Sequence, residues 1–213
     1  MTGRSDPADR SVVPVAAFTA AYLLAAVAGA VVTGNAEFIV YVAVVVLLIP
    51  AVWLVHRTVR LAMLSLWFLS LWGLLHMLGG LAPVPAGWPI NGENAVLYSL
   101  WLVPEVLKYD HVVHAFGFGV TTWVCWQGLR GALRRGGREG RPTGGLMVLA
   151  AAAGLGFGAL NEVIEFAATL ALPETNVGGY VNTGWDLVAN LVGATVAVIL
   201  IVALDRRRTD GIG

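Results

Sequence analysis

The chain has 213 residues, 58% hydrophobic and only 12% charged, with a formal net charge of zero and a mean hydropathy of +0.77. A soluble domain carries about 25% charged residues, so the composition excludes a water-soluble enzyme and points to a helical integral membrane protein; its long unbroken apolar runs do not suit an outer-membrane barrel. The zero net charge supplies no field for nucleic acid, and a single cysteine, Cys125, excludes an intrachain disulfide framework and a thiolate metal cluster.

Residues 1–11 read as a short cytoplasmic tail. The first apolar run, about 12–32, exceeds the roughly 7–15 residues of a signal-peptide core and reads as a retained span. Five more follow at about 38–55, 61–82, 110–129, 146–172 and 185–204, each near the roughly 20 residues a crossing needs. Residues 205–213 form a second cytoplasmic tail. The expected fold is all-α, a polytopic transmembrane bundle of six spans forming one domain at 12–204, with N- and C-termini in the cytoplasm.

The connectors fix that orientation. Arg4 and Arg10 precede the first span, "HRTVR" joins the second and third, "RGALRRGGREGR" joins the fourth and fifth, and "DRRR" follows the sixth. With six crossings the twelve arginines fall on one side and Lys108 is the only cation on the other, which the positive-inside rule assigns to the outside. Trp88, Tyr98, Trp101, Tyr109, Tyr180 and Trp185 mark an outer aromatic belt; Trp53, Trp123 and Trp126 mark an inner one. The stretch 95–107 is too short to cross and contains Pro104, so it is expected to lie in the outer interface or to dip in and return. The chain is thus expected in a bacterial-type cytoplasmic membrane as a multi-pass protein, with the lipid bilayer as its partner; no feature specifies an oligomeric state.

Polar residues inside these spans gather at one depth. Asp110, His111 and His114 open the fourth span, Asn161, Glu162 and Glu165 lie toward the outer end of the fifth, Asp186 and Asn190 open the sixth, and His76 lies in the outer half of the third. At about 100° per residue, each i, i+1, i+4 set occupies one face, and an acidic residue facing lipid at a helix centre costs on the order of 2.5–3.5 kcal/mol. The faces should therefore meet in an outward-opening pocket. Gly154, Gly158, Gly117, Gly119 and Gly193 share those helices, and small residues permit close approach. Asp110 and Asp186 also suit helix N-caps, and His76 suits a hydrogen-bonded core histidine.

Carboxylates and imidazoles from several helices are how bundle metal centres are built. Asp110, His114, Glu162, Glu165 and Asp186 are the candidate ligands, a donor set suited to a divalent zinc, manganese or iron ion. His111, Asn161, Asn190 and His76 are candidates to support them. Glu162, Glu165 and His114 are the candidate catalytic groups, acting with an activated water on a lipid-linked or headgroup ligand. Two other readings use the same residues: an Asp/Glu/His proton or ion relay in a small transporter, and a non-catalytic polar packing or lipid-binding layer.

The order "YDHVVHAFGFG", "NEVIEFAA", "WDLVANLVGA" resembles the VanZ-like membrane proteins. Their pattern is D-x-x-x-H, E-x-x-Q and D-x-x-x-N-x-x-G on three successive spans, matched here by Asp110 and His114, by Glu162, and by Asp186, Asn190 and Gly193. Glu165 stands where that pattern has Gln, and the resulting E-x-x-E is more similar to the YjdF-like inner-membrane proteins. The resemblance covers roughly 108–200. It implies a cell-envelope role, one VanZ-like member being associated with glycopeptide resistance.

Overall fold

The computed structural model describes residues 7–34, 36–172, 175 and 178–210. Much of the expected tails, including Arg4, and residues 173–174 and 176–177 of the loop before the last helix lie outside the described residues. Six long helices account for most of the chain: α1 (Pro7–Thr33), α2 (Ala36–Val59), α3 (Met63–Leu81), α4 (Tyr109–Arg135), α5 (Gly144–Ala171) and α6 (Tyr180–Asp210). All but α4 are long and apolar enough to cross a membrane. Their outward faces carry large apolar side chains, such as Leu47 at 73% and Leu170 at 74% exposure. Water would not tolerate so continuous an apolar surface; hydrocarbon requires it.

The composition of α4 follows from its place. It is flanked by α2, α3, α5 and α6, so its polar residues meet protein rather than lipid. One cluster of buried side chains, including Tyr22, Ala26, Phe38, Tyr41 and Met77, joins α1, α2 and α3. A second, with Trp126, Met147, Ala150 and Ile201, joins α4, α5 and α6. The two halves are tied by side chains that replace missing caps. α3 starts at Ala62 without a side-chain cap of its own; Gln127 of α4 accepts from the Ala62 N–H at 2.7 Å and donates to Ser65 Oγ at 2.5 Å. Arg135 donates to the Thr58 carbonyl at the end of α2, 2.7 Å away.

Glycines set the closest helix approaches. A Cβ on Gly193 of α6 would collide with the Ala115 carbonyl of α4, and one on Gly119 would come within 3.0 Å of the Gly193 carbonyl. On α5, Met147, Ala150, Gly154, Gly158 and Glu162 form one buried ridge; a Cβ on Gly154 would strike Thr122 of α4, and one on Gly158 would lie 2.7 Å from Asn190 Nδ2. The small-residue expectation therefore holds at all of these positions.

The stretch between α3 and α4 is not helical. It contains isolated bridges Pro83 to Val96 and Ile90 to Leu100, a 3-10 turn at Leu97–Ser99, and an antiparallel pair, β1 (Trp101–Val103) and β2 (Leu107–Lys108). Pro104 and Glu105 make the reversal, Glu105 with φ of 58°. The 3-10 turn rests on α3 and α4, and β2 runs directly into α4. This small hairpin is an addition to the all-α expectation. It arises because Val, Trp and Leu flank a proline that no helix interior accepts.

Candidate functional site

The end of the bundle that carries this hairpin, called the loop face below, is also where the polar residues of α4, α5 and α6 meet. Neither aspartate is a cap. α4 begins at Tyr109 with Lys108 at the N-cap position, which puts Asp110 in the first turn. α6 begins at Tyr180, so Asp186 lies in its second turn. Sequence reading placed these starts too late because the polar N-terminal turns do not look apolar. Freed from capping, both carboxylates point into the cluster: Asp186 is fully buried and Asp110 is 9% exposed.

His114 is the hub, at 3% exposure. Its Nδ1 lies 3.1 Å from Asn190 Oδ1 and 3.7 Å from Glu162 Oε1. Its Nε2 lies 3.7 Å from Asp110 Oδ1, one helical turn earlier. An amide oxygen only accepts, so in this amide orientation Nδ1 carries a proton. In a neutral imidazole, Nε2 then presents a lone pair toward a carboxylate oxygen. That arrangement repels unless a proton or a cation lies between them.

Two three-residue groups share His114. Asp110, His114 and Asp186 each offer a ligand atom, all within 4.8 Å of one another, and so do His114, Glu162 and Glu165. Three atoms bound to one ion at about 2.0–2.2 Å lie about 3–4 Å apart, so either group would have to draw in to hold one. Several buried atoms are left without hydrogen bonds: both oxygens of Glu162, Oδ1 of Asp186 and Nδ2 of Asn190. Asn161 and Thr183 stand beside Glu162, but Asn161 commits its Nδ2 to Glu165 Oε1 at 2.7 Å.

Two residues that sequence reading did not place here complete the cluster. Lys108, 6% exposed, puts Nζ 3.4 Å from Asp110 Oδ2 and donates to Asn182 Oδ1. Asn182 donates in turn to Asp186 Oδ2 at 2.6 Å and reaches Asp110 Oδ2 at 3.4 Å. Lys108 was read as a topological marker, yet it is the only lysine among thirteen cations and sits two residues before Asp110. Asn182 precedes Asp186 by one turn. That spacing was the available signal, hidden by placing the α6 start near 185.

Of the expected supporting residues, Asn161 and Asn190 bond to cluster members. His111 instead accepts the Lys108 N–H at Nδ1, 3.3 Å away, which closes the first turn of α4, and tilts against the Trp185 ring at 6.0 Å. His76 is set in an aromatic cage, its ring centroid 5.6 Å from Tyr41, 5.5 Å from Tyr98 and 6.5 Å from Trp72.

Charge is the decisive quantity. Among the described residues, the cluster holds four carboxyl groups and one ammonium, that of Lys108, which faces Asp110. Fully ionised, with His114 neutral, the cluster would hold a net charge of −3 in a mostly buried setting. Each uncompensated buried charge costs several kcal/mol, so protons or a bound cation must balance the excess.

The comparisons with known proteins identify a family and nothing finer. A family model described as "Predicted membrane protein (DUF2238)" matches residues 14–207. No curated protein and no solved structure matches the chain.

Proposed function

Since the chain belongs to this family of predicted membrane proteins, DUF2238, we propose that its polar cluster is a divalent-metal site working at the outer boundary of a cytoplasmic membrane on a lipid-linked or envelope substrate. Asp110, His114, Glu162, Glu165 and Asp186 are the proposed ligand candidates for one ion, with His114 belonging to both three-residue groups. The observation that carries this reading is the orphaned set: both Glu162 oxygens and Asp186 Oδ1 are buried, accept no hydrogen bond, and belong to a cluster with three more acids than cations. Mixed carboxylate and imidazole donors suit zinc, manganese or iron. Asn190 at His114 Nδ1 is the kind of partner that orients a metal-binding imidazole.

The ion would supply Lewis-acid polarisation of a phosphoryl or ester oxygen. The chain's own part is to hold the reacting groups. Glu162, with both oxygens free, is placed to take a proton from water. Glu165, held by Asn161, is the second carboxylate of the pair. Lys108 offsets part of the negative charge that would otherwise repel an anionic substrate. The proposed topology is six spans with α4 as the central one, both termini cytoplasmic and the loop face outside; the twelve arginines support it. The meeting of the D-x-x-x-H, E-x-x-E and D-x-x-x-N-x-x-G residues in one cluster supports the VanZ-like or YjdF-like reading of the family.

A second reading has its own observation. Lys108 and Asn182 already bridge Asp110 and Asp186, so the cluster could be a proton-sharing polar layer that fixes helix packing. Metal content of the detergent-purified protein separates the two, wild type beside Glu162→Gln/Glu165→Gln. The proposal expects close to one metal per chain in the wild type and loss of most of it in the double variant. Metal-free wild type, with the variant at least as thermostable, would replace it with the polar-layer reading.

A further inference from the structure

A cavity of about 490 Å³ lies between α1, α2 and α3, within the roughly 300–1,000 Å³ of ligand pockets. It is separate from the carboxylate cluster and extends toward the opposite end of the bundle, where α1 begins and α2 ends. Its floor is α1, where Ala16 and Ala20 leave space beneath Leu48, Ile49 and Val52 of α2. Phe38 of α2, seated over Gly80 of α3, closes α2 onto α3 near the loop face. At the other end α2 and α3 are joined by residues 60–62, and α1 is held to α3 by Thr19 Oγ1 and Ser70 Oγ at 2.6 Å and by Tyr22 lying over Gly73.

Its dimensions identify the occupant. On α1 the lining runs from Val12 to Leu23, and on α2 from Val45 to His56. Eleven steps at 1.5 Å span about 16 Å, close to half of a hydrocarbon core of about 30 Å. The groove therefore has the depth of one leaflet, and its lining is almost wholly apolar. Tyr22, Gly73 and Trp72 end it near mid-membrane. Trp53 and His56 stand at its mouth, rings stacked at 6.0 Å and 29°, at the level where tryptophan marks a membrane interface.

The mouth also carries a sign of charge. His56 Nδ1 is buried without a hydrogen-bond partner and belongs to a groove-lining side chain. Arg57 follows it, and Arg60 lies just beyond the end of α2. Cations at headgroup depth attract anionic lipids. We infer that this groove is a lipid site that takes one acyl chain of an anionic phospholipid from the leaflet on the arginine-bearing face, with the headgroup at His56 and Arg57. The site is independent of the metal proposal, since it shares no residue with the carboxylate cluster.

Native mass spectrometry of the protein, exchanged through detergent with phosphatidylglycerol or phosphatidylcholine added, tests the assignment. The expected result is one phosphatidylglycerol retained per wild-type chain, at least fivefold over phosphatidylcholine. Ala16→Leu/Ala20→Leu fills the groove from its floor and should reduce retention at least tenfold. Ala17→Leu/Ala25→Leu adds the same bulk to exposed positions of α1 outside the groove and should retain the lipid. His56→Gln/Arg57→Gln should still hold a lipid but lose the preference for phosphatidylglycerol. Equal retention by the groove-filled variant and the wild type, or no preference between the two lipids in the wild type, would overturn the proposal. So would a wild-type dimer, without lipid, that the filling variant converts to monomer, since the groove would then be an interface between chains.

Discussion

Lys108 shows how one side chain sets the electrostatics of a site. At 7% side-chain exposure it faces Asp110 at 13%, and Asn182 carries its influence to Asp186. Removing one partner of a buried pair costs about 3–5 kcal/mol because the remaining charge is stranded. Lys108→Met should therefore lower the melting temperature of chelator-treated protein. If the cluster binds a divalent ion, adding that ion should restore more stability to the variant than to the wild type, because a competing cation has gone. Thermal unfolding with and without chelator measures both, and a variant that melts with the wild type in every condition would show that the lysine is idle. Asp110, His114, Glu162, Glu165, Asp186 and Asn190 were legible from helical spacing, since a carboxylate in an apolar helix has few other places to go; Asn182 was hidden by a late start for α6. Lys108 was not legible, because its burial depends on the hairpin folding back over α4. His76 misled for the opposite reason: its depth along α3 matched the cluster, but Tyr41 and Tyr98 come from elements whose lateral placement a linear pattern does not contain.

At the scale of elements, the hairpin and its flanking turns act as the roof of the bundle, and Tyr98 is the peg that holds them down. Its hydroxyl donates to the His76 carbonyl at 2.9 Å. Tyr109 does the same to the Leu75 carbonyl at 3.0 Å, so two adjacent carbonyls near the end of α3 are satisfied from above. Burial, followed by the negative charges of Asp110 and Glu165, pushes the Tyr98 hydroxyl well above the ordinary tyrosine value of 10.0. The direction of the pH effect follows from linkage. Below 10.0 the folded and unfolded states both keep this proton and its contribution is complete. Above it the unfolded chain loses the proton while the folded chain retains it, so stability falls as pH rises toward the folded value. Tyr98→Phe should cost about 1 kcal/mol at neutral pH through the lost hydrogen bond and should show a shallower alkaline decline than the wild type. Melting temperature against pH for the two proteins checks this; parallel alkaline limbs would remove Tyr98 as the cause. That 95–107 is too short to cross is legible in the sequence; the hairpin is not, because a two-stranded ribbon of this length has almost no signal apart from its neighbours.

For the whole molecule, the bundle was readable because lipid leaves few alternatives: each long apolar run must close its own backbone hydrogen bonds as a helix. The runs near 12–32, 38–55, 61–82, 146–172 and 185–204 each correspond, to within two residues at the ends of α3 and α5, to a helix that meets the length and hydropathy of a span. α4 does not, because a helix surrounded by other helices is released from the demand to look like lipid. Its crossing can be tested through the side on which its ends emerge. With Cys125 replaced by alanine, single cysteines at Arg138 and at Glu93 should be labelled by a membrane-impermeant maleimide from opposite sides, Arg138 from the cytoplasm and Glu93 from outside. Labelling of both from one side would rule out a crossing α4 and with it the proposed six-span topology.

The roof also sets a clock. Lys108 and Asn182 lie across the Asp110 and Asp186 carboxylates, and β2 leads directly from the hairpin into α4. A cation entering from the loop face would have to pass these two side chains and the ribbon that carries one of them. Exchange would then follow the opening frequency of the ribbon, commonly microseconds to seconds for loop and lid motions, instead of the rate of encounter with solvent. An occupant of modest equilibrium affinity could thus have a long residence time.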